Sequence, residues 1–116
     1  MLPKQNRLVS DFDFRRVRKF GRLYHSPFFS LYLIKEKNQQ PSRFGFVVST
    51  KVSKSAVKRN FLKRLLRHPV EENLDKINPG FSLGFWVRGR ALSAPAPDVS
   101  REVFQSLKQT GVLTRE

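Results

Sequence analysis

One stretch limits the folds open to this 116-residue chain more than any other. It is residues 49–67, STKVSKSAVKRNFLKRLLR, in which apolar and basic side chains recur at helical spacing. At about 100° per residue, the apolar side chains fall in one sector of a helix, which is expected to pack in a core. That sector contains Val57, Phe61, Leu62, Leu65 and Leu66.

The opposite sector of this predicted helix carries charge of one sign. No acidic residue occurs from position 37 to position 70, where nine lysines and arginines fall, seven of them within positions 51–67. Exposed helix faces usually mix both signs, so this run indicates an anionic partner or disorder, and the apolar sector argues against disorder. An ordinary amphipathic helix with a basic face is the alternative. The sector contains Arg59, Asn60, Lys63, Arg64 and Arg67.

The ends of this helix are indicated by capping and breaking residues. Ser53 or Ser55 is a suitable N-cap, since a serine side chain accepts a hydrogen bond from a free backbone N–H. Pro69 is predicted to end or kink the helix at about His68, because proline lacks an N–H and clashes with the preceding turn.

Composition points to a nucleic-acid partner. The net charge is +14 and the pI is about 11.2, above the threshold of about 9 that flags nucleic-acid binders. There is no cysteine, which is compatible with a reducing cytosol. No apolar run approaches the roughly 20 residues that span a bilayer, and no signal peptide is evident. We therefore expect a cytoplasmic protein with no membrane partner.

Two further helices and four strands are predicted. Ser10 caps a first helix over residues 11–20 that stops at Gly21, and Asp98 or Ser100 caps a last helix over residues 98–110. A short helical turn is expected within residues 71–77, and a linker at 91–97. The strands are predicted at residues 22–25, 28–37, 43–50 and 81–90.

This order predicts an α+β fold, α-β-β-β-α-β-α, in a single domain over residues 1–116. One sheet of about four strands carries the helices. Because the basic helix separates the last two strands, those strands are predicted to be parallel.

The sequence offers little to a catalytic mechanism of its own. Its only histidines, His25 and His68, lie in different elements, and its acids are scattered. A two-metal nuclease needs several converging carboxylates. We therefore predict no catalytic residue and no metal ligand in this chain.

The sequence has more residues suited to RNA binding than to catalysis. Arginine and lysine bind phosphate, and Asn60 can hydrogen-bond a base edge or a sugar. Phe14 and Tyr32 either stack on unpaired bases or belong to the core. Charge alone would equally suit a small ribosomal protein, and the basic helix could also enter the major groove of duplex DNA.

Ordered motifs resemble the bacterial ribonuclease P protein family. Residues 56–67, AVKRNFLKRLLR, are similar to its Arg-Asn-Arg signature helix, and residues 43–51, RFGFVVSTK, to the strand before it. Three further parts of the family pattern are also matched, by Leu2-Pro3-Lys4 with Arg7-Leu8, by Asp13-Phe14 with Val17 and Gly21, and by Pro79-Gly80. The resemblance covers nearly the whole chain.

The resemblance implies a left-handed βαβ crossover and a protein cofactor for a catalytic RNA. That RNA, with Mg²⁺, removes the 5′ leader of precursor tRNA. Ribonuclease P RNA and precursor tRNA are the implied partners, without an obligate protein partner. The implied leader cleft contains Phe14, Arg18 and Tyr32. The implied RNA-binding residues are Lys51, Lys54, Lys58, Arg59, Asn60, Lys63, Arg64 and Arg67.

Three positions depart from the family pattern. Phe61 replaces the second arginine of the signature, which removes one expected phosphate contact. Arg18 stands where the family often has an aromatic residue, so the grip on the leader is expected to be electrostatic there. Pro69 is expected to shorten the signature helix.

Overall fold

The computed structural model describes residues 1–114. Single 3-10 turns at Lys4–Asn6, Leu74–Lys76 and Gly89–Leu92 supplement the helices and strands. The predicted order α-β-β-β-α-β-α is confirmed; the first strand has its predicted bounds, and the other three are shorter than predicted. In chain order the elements are α1 (Asp11–Phe20), β1 (Arg22–His25), β2 (Phe29–Lys35), β3 (Arg43–Val47), α2 (Ala56–Glu72), β4 (Phe81–Val87) and α3 (Ala96–Gln109).

The four strands form one mixed sheet in the order β1-β2-β4-β3. β2 pairs antiparallel with β1 and with β4. β3 and β4 pair in parallel, and α2 connects them in the chain, which confirms the predicted βαβ unit. The left-handedness of this crossover stays a prediction from the resemblance.

The two faces of the sheet pack against different helices. Alternate residues of β2, such as Phe29 and Leu31, are fully buried in a core with Leu66 of α2 and Val103 of α3. The residues between them, such as Tyr32, are half-buried on the other face. That second face carries α1, so the sheet lies between α1 on one side and the α2–α3 pair on the other.

The basic helix is longer than predicted. α2 does not end at His68 but continues through Pro69 to Glu72. Pro69 and Val70 are buried in this last turn, and Asn73 Nδ2 donates to the Pro69 carbonyl at 2.8 Å. Burial and this cap offset the one backbone hydrogen bond that proline removes.

The apolar sector of α2 is only partly in the core. Leu62 and Leu66 are buried as predicted, but Val57 is 75% exposed and Phe61 is 50% exposed. The first two turns of α2 therefore carry apolar side chains that the fold does not cover.

α3 begins two residues before the predicted start, at Ala96. Its N-cap is Pro95, so neither Asp98 nor Ser100 is the cap. Pro97 is tolerated in the first turn because the backbone N–H groups there have no partner within the helix. Asp98 pairs instead with Arg101 at 3.3 Å.

Candidate nucleic-acid interface

α1 presents one side to the sheet. Ser10 caps the helix as predicted, since its Oγ accepts a hydrogen bond from the Asp13 N–H at 3.1 Å. Val17 is fully buried beneath the helix. Arg18 follows on the helix flank that faces β2 and β4. α1 thus brings cationic and aromatic side chains over a sheet face that is not filled by the core.

Four side chains form what we call the aromatic cleft: Phe14, Arg18, Tyr32 and Trp86. The Trp86 ring meets Phe14 edge-on at a centroid distance of 6.1 Å and Tyr32 edge-on at 5.5 Å. The Arg18 guanidinium lies 5.2 Å from the centroids of both Tyr32 and Trp86, within cation–π range. These contacts hold the ring planes and the arginine in one cluster.

Two glycines make room for this cluster. A Cβ on Gly45 of β3 would overlap the Phe14 ring, and a Cβ on Gly84 of β4 would overlap the Trp86 ring. Both glycines therefore let an aromatic ring lie directly on the sheet backbone.

An open volume of about 650 Å³ adjoins the aromatic cleft. Phe14, Arg18 and Trp86 line it from α1 and β4, and Lys63 reaches it from α2. Tyr32 does not line this volume but lies under Arg18 and against Trp86. Tyr32 therefore supports the cleft wall, whereas Phe14 and Trp86 face the open space.

A network of ion pairs fastens the other flank of α1 to the sheet. Arg16 donates from both Nη atoms to the Glu36 carboxylate, at 3.1 and 2.6 Å. Ser82 Oγ donates to Glu36 Oε2 at 2.6 Å, and Arg43 Nη1 donates to Asp13 Oδ2 at 3.0 Å. The network joins α1 to residues at the ends of β2, β3 and β4.

The network also sets the charge of its two acids. The hydrogen bond from Arg16 lowers the pKa of Glu36 to about 2, against the opposing effect of burial. Burial would raise the pKa of Asp13, but the charges and hydrogen bonds around it, those of Arg43 included, leave that pKa below its usual value. Both carboxylates are thus ionised and paired at neutral pH.

The predicted RNA-binding residues spread over an open surface of α2 and the loop before it. Arg59 is half-buried, and its Nη1 donates to the Ser53 carbonyl at 2.9 Å. One of its donors is therefore used to hold the loop just before α2. Lys63 and Arg67 are half-buried and line a second groove with Leu2 and Arg7. The remaining five are exposed: Lys51, Lys54, Lys58, Asn60 and Arg64.

The fold brings together the three predicted cleft residues, and Lys63 of α2 lines the same open volume as Phe14 and Arg18. Sequence reasoning did not include Trp86, the residue that contacts all three. One available signal was the phase of β4, in which Trp86 alternates with the buried Phe85 and shares a face with Ser82 and Gly84. The acid–arginine network of Glu36 was also not predicted.

Other site chemistries find little support in the described part of the chain. No three His, Asp or Glu side chains within residues 1–114 come together in a way that could hold a metal ion. Within the same residues, no helix has the length and apolar character needed to cross a membrane.

Known proteins are similar to this chain in sequence and in fold. Residues 2–111 match the family described as Ribonuclease P. The ribonuclease P protein component of Clostridioides difficile is 34% identical over 106 residues, which cover 90% of this chain and 91% of that protein. The protein component of Rippkaea orientalis is 35% identical and covers 99% and 96%.

Solved structures agree with the sequence comparison. The ribonuclease P protein of Staphylococcus aureus has a TM-score of 0.86 at 25% identity, covering 96% of this chain and all of that one. That of Thermotoga maritima has a TM-score of 0.78 at 27% identity, covering 89% and 96%. The resemblance of the signature helix, the observed fold and these relatives agree, and the chain belongs to the family of bacterial ribonuclease P protein components.

Proposed function

We propose that this chain is the cytoplasmic protein cofactor that binds the catalytic RNA of ribonuclease P and the 5′ leader of precursor tRNA. The RNA carries out Mg²⁺-dependent endonucleolytic removal of the leader, which leaves the mature 5′ end. One observation carries the proposal: the aromatic cleft and the basic surface of α2 are contiguous, because Lys63 of α2 lines the cleft beside Phe14 and Trp86.

The aromatic cleft has the chemistry that a single-stranded leader needs. Unpaired bases stack on aromatic rings with little dependence on sequence, and cations along the path neutralise phosphates. Phe14 and Trp86 supply ring surface at the open volume, and Arg15, Arg18 and Lys19 supply positive charge along the same wall. Arg18 therefore adds charge to the cleft, while the rings of Phe14 and Trp86 remain available at the open volume for stacking.

The basic surface of α2 fits a folded polyanion. Each phosphate neutralised by a lysine or arginine releases condensed counterions, which makes binding strong at low salt and weak at high salt. In this proposal Mg²⁺ is held by the RNA, and the protein lowers the Mg²⁺ concentration that the complex requires. The side chains of this chain bind and orient RNA and carry out no chemical step.

Precursor-tRNA cleavage at low Mg²⁺ tests the proposal. A bacterial ribonuclease P RNA is assayed with and without the protein, and the protein is also assayed alone. Correct 5′ cleavage that requires both components supports the proposal. Tight binding to the RNA without stimulated cleavage favours a ribosomal-type role, a preference for duplex DNA favours a DNA-binding role, and cleavage by the protein alone refutes the assignment of catalysis to the RNA.

The Phe14→Leu variant tests the leader cleft within that system. It removes one of the two rings that face the open volume but keeps an apolar side chain over Gly45. We expect it to weaken binding of precursor tRNA by about 1–3 kcal/mol and to leave mature tRNA unaffected. Phe12→Leu is the matched control, since Phe12 is 72% exposed on the same helix and does not line the cleft.

Intrinsic fluorescence offers a direct reading of the same cleft. Trp86 is the only tryptophan of the chain, so its emission reports on this site alone. Titration with a single-stranded leader RNA should change the Trp86 emission equally in the unmodified protein and in Phe12→Leu. The change should be smaller in Phe14→Leu. Equal loss of precursor and mature tRNA binding in Phe14→Leu would place Phe14 outside the leader path.

A further inference from the structure

The first turns of α2 carry an apolar patch that the fold leaves uncovered. Val57 is 75% exposed and Phe61 is 50% exposed, and their spacing of four residues places them on one face of the helix. No other aromatic ring within residues 1–114 stacks on Phe61. Part of the Phe61 ring is thus open to a partner.

The surroundings of this patch select the partner. Lys58 and Arg64 stand three residues before and after Phe61, so both border it on the helix surface, and both are exposed. The sequence from position 37 to position 70 has no acid to balance them. Lysine is depleted at protein–protein interface cores, whereas an exposed ring among cations is the usual arrangement for single-stranded nucleic acid.

Stacking on Phe61 restricts the structure of the RNA that docks there. Bases inside a continuous duplex have both faces covered by their neighbours, so only an unpaired base offers a free face. We propose that Phe61 stacks on an unpaired base of the partner RNA, with Lys58 and Arg64 on the adjacent phosphates. α2 then docks at a loop, a bulge or a strand end.

This inference rests on the proposed function and adds a contact that the family signature does not supply. An arginine at position 61 would bind phosphate, whereas phenylalanine has no hydrogen-bond donor for it. The exchange therefore converts a salt-dependent contact into a contact with a base.

Binding to a transcribed bacterial ribonuclease P RNA tests the contact. Phe61→Leu keeps apolar bulk without a ring, and Phe61→Trp keeps a ring. We expect Phe61→Leu to bind roughly 5- to 100-fold more weakly, with Phe61→Trp close to the unmodified protein. The salt dependence should stay the same in both, because no phosphate contact changes, whereas Arg64→Gln should reduce it.

Controls separate binding from folding. Phe12→Leu removes a phenylalanine of α1 that is more exposed than Phe61, 72% against 50%, and should leave RNA affinity unchanged. Because the ring of Phe61 is half exposed, thermal unfolding of Phe61→Leu should match that of the unmodified protein. Equal affinity of Phe61→Leu and the unmodified protein, or a loss shared by Phe12→Leu, would overturn the inference.

Photocrosslinking locates the partner. A benzophenone amino acid at position 61 should crosslink to nucleotides that chemical probing of the free RNA shows to be unpaired. Crosslinks confined to continuous duplex, or to a second copy of the protein, would overturn the inference. If the Phe61→Leu variant binds the RNA with unchanged affinity and stimulates precursor-tRNA cleavage normally, only this inference is refuted. If the unmodified protein does not stimulate cleavage, the proposed function is refuted.

Discussion

At the scale of single residues, Glu36 connects α1 to the sheet. It accepts hydrogen bonds from Arg16 and Ser82, and it lies 3.5 Å from the Arg43 guanidinium. A paired carboxylate whose partners come from α1, β3 and β4 fixes the helix relative to the sheet. The position of Phe14 and Arg18 in the aromatic cleft depends on the same helix placement.

The Glu36→Gln variant should therefore reduce stability at neutral pH. It removes the nearer of the two ionic partners of the partly buried Arg16, the other being Asp13 at 3.5 Å, which we expect to cost about 1–3 kcal/mol in the free energy of unfolding. Urea unfolding at pH 7 measures this cost. Asp75→Asn is the control, because Asp75 is exposed; a similar loss in both variants would show that net charge, not the network, is responsible.

The same residue predicts a pH dependence. The pKa of Glu36 is about 2 in the folded protein and about 4.5 in the unfolded chain. Its contribution is therefore complete above about pH 4.5 and is lost as the pH falls toward 2. The difference in unfolding free energy between the unmodified protein and Glu36→Gln should shrink across that window, and a constant difference would contradict the pKa shift.

At the scale of secondary-structure elements, α2 depends on its serine cap. Ser55 Oγ accepts a hydrogen bond from the Lys58 N–H at 3.3 Å. The first turn of α2 contains no acidic residue that could interact favourably with the positive end of the helix dipole. Ser55→Ala should lower the free energy of unfolding by about 1 kcal/mol. Ser55→Asn should restore it, because asparagine also caps well.

Ser55→Asp separates the stability of the helix from its binding. Aspartate caps the helix and suits its positive end, so unfolding should return to the level of the unmodified protein or above. Its negative charge beside Lys54 and Lys58 should nevertheless weaken RNA binding. If Ser55→Asp bound RNA as tightly as Ser55→Asn, the first turn of α2 would lie outside the RNA interface.

The elements also show how far the sequence could be taken. Periodicity and caps predicted α1 and the succession of the four strands along the chain, because those signals are local. The helical wheel identified the apolar side of α2, but it could not show that the fold covers Leu62 and Leu66 while leaving Val57 and Phe61 open. That depends on how far neighbouring elements extend along the helix, which is a tertiary property.

The candidate site was predictable to a similar degree. The motif resemblance led to Phe14, Arg18 and Tyr32, which the fold does bring together. Trp86 was not predicted, because an aromatic residue in an apolar strand that also contains Phe81 and Phe85 is usually part of the core. The alternation along β4 separates Trp86 from the buried Phe85, and the pairing of β4 with β2, with Gly84 opposite Tyr32, then places the Trp86 ring in the cleft.

At the scale of the whole molecule, a net charge of +14 on 116 residues opposes folding through self-repulsion. The repulsion is greatest where basic residues cluster without acids, which is the surface that we propose binds RNA. Stability and binding therefore compete at the same positions. Anions should relieve the repulsion, because at 0.1 M salt the interaction between exposed charges more than about 10 Å apart is largely screened.

The double variant Lys54→Gln, Lys58→Gln tests this competition. Both lysines are exposed, and Lys58 lies in the first turn of α2, where positive charge opposes the helix dipole. Since glutamine and lysine have similar helix propensities, the variant should unfold at a higher temperature than the unmodified protein at low salt, by a few degrees. This advantage should fade as salt is added, while RNA affinity falls with a smaller salt slope. A variant that is no more stable at 10 mM salt would show that local repulsion does not limit the fold, and the basic surface would then carry no cost in stability.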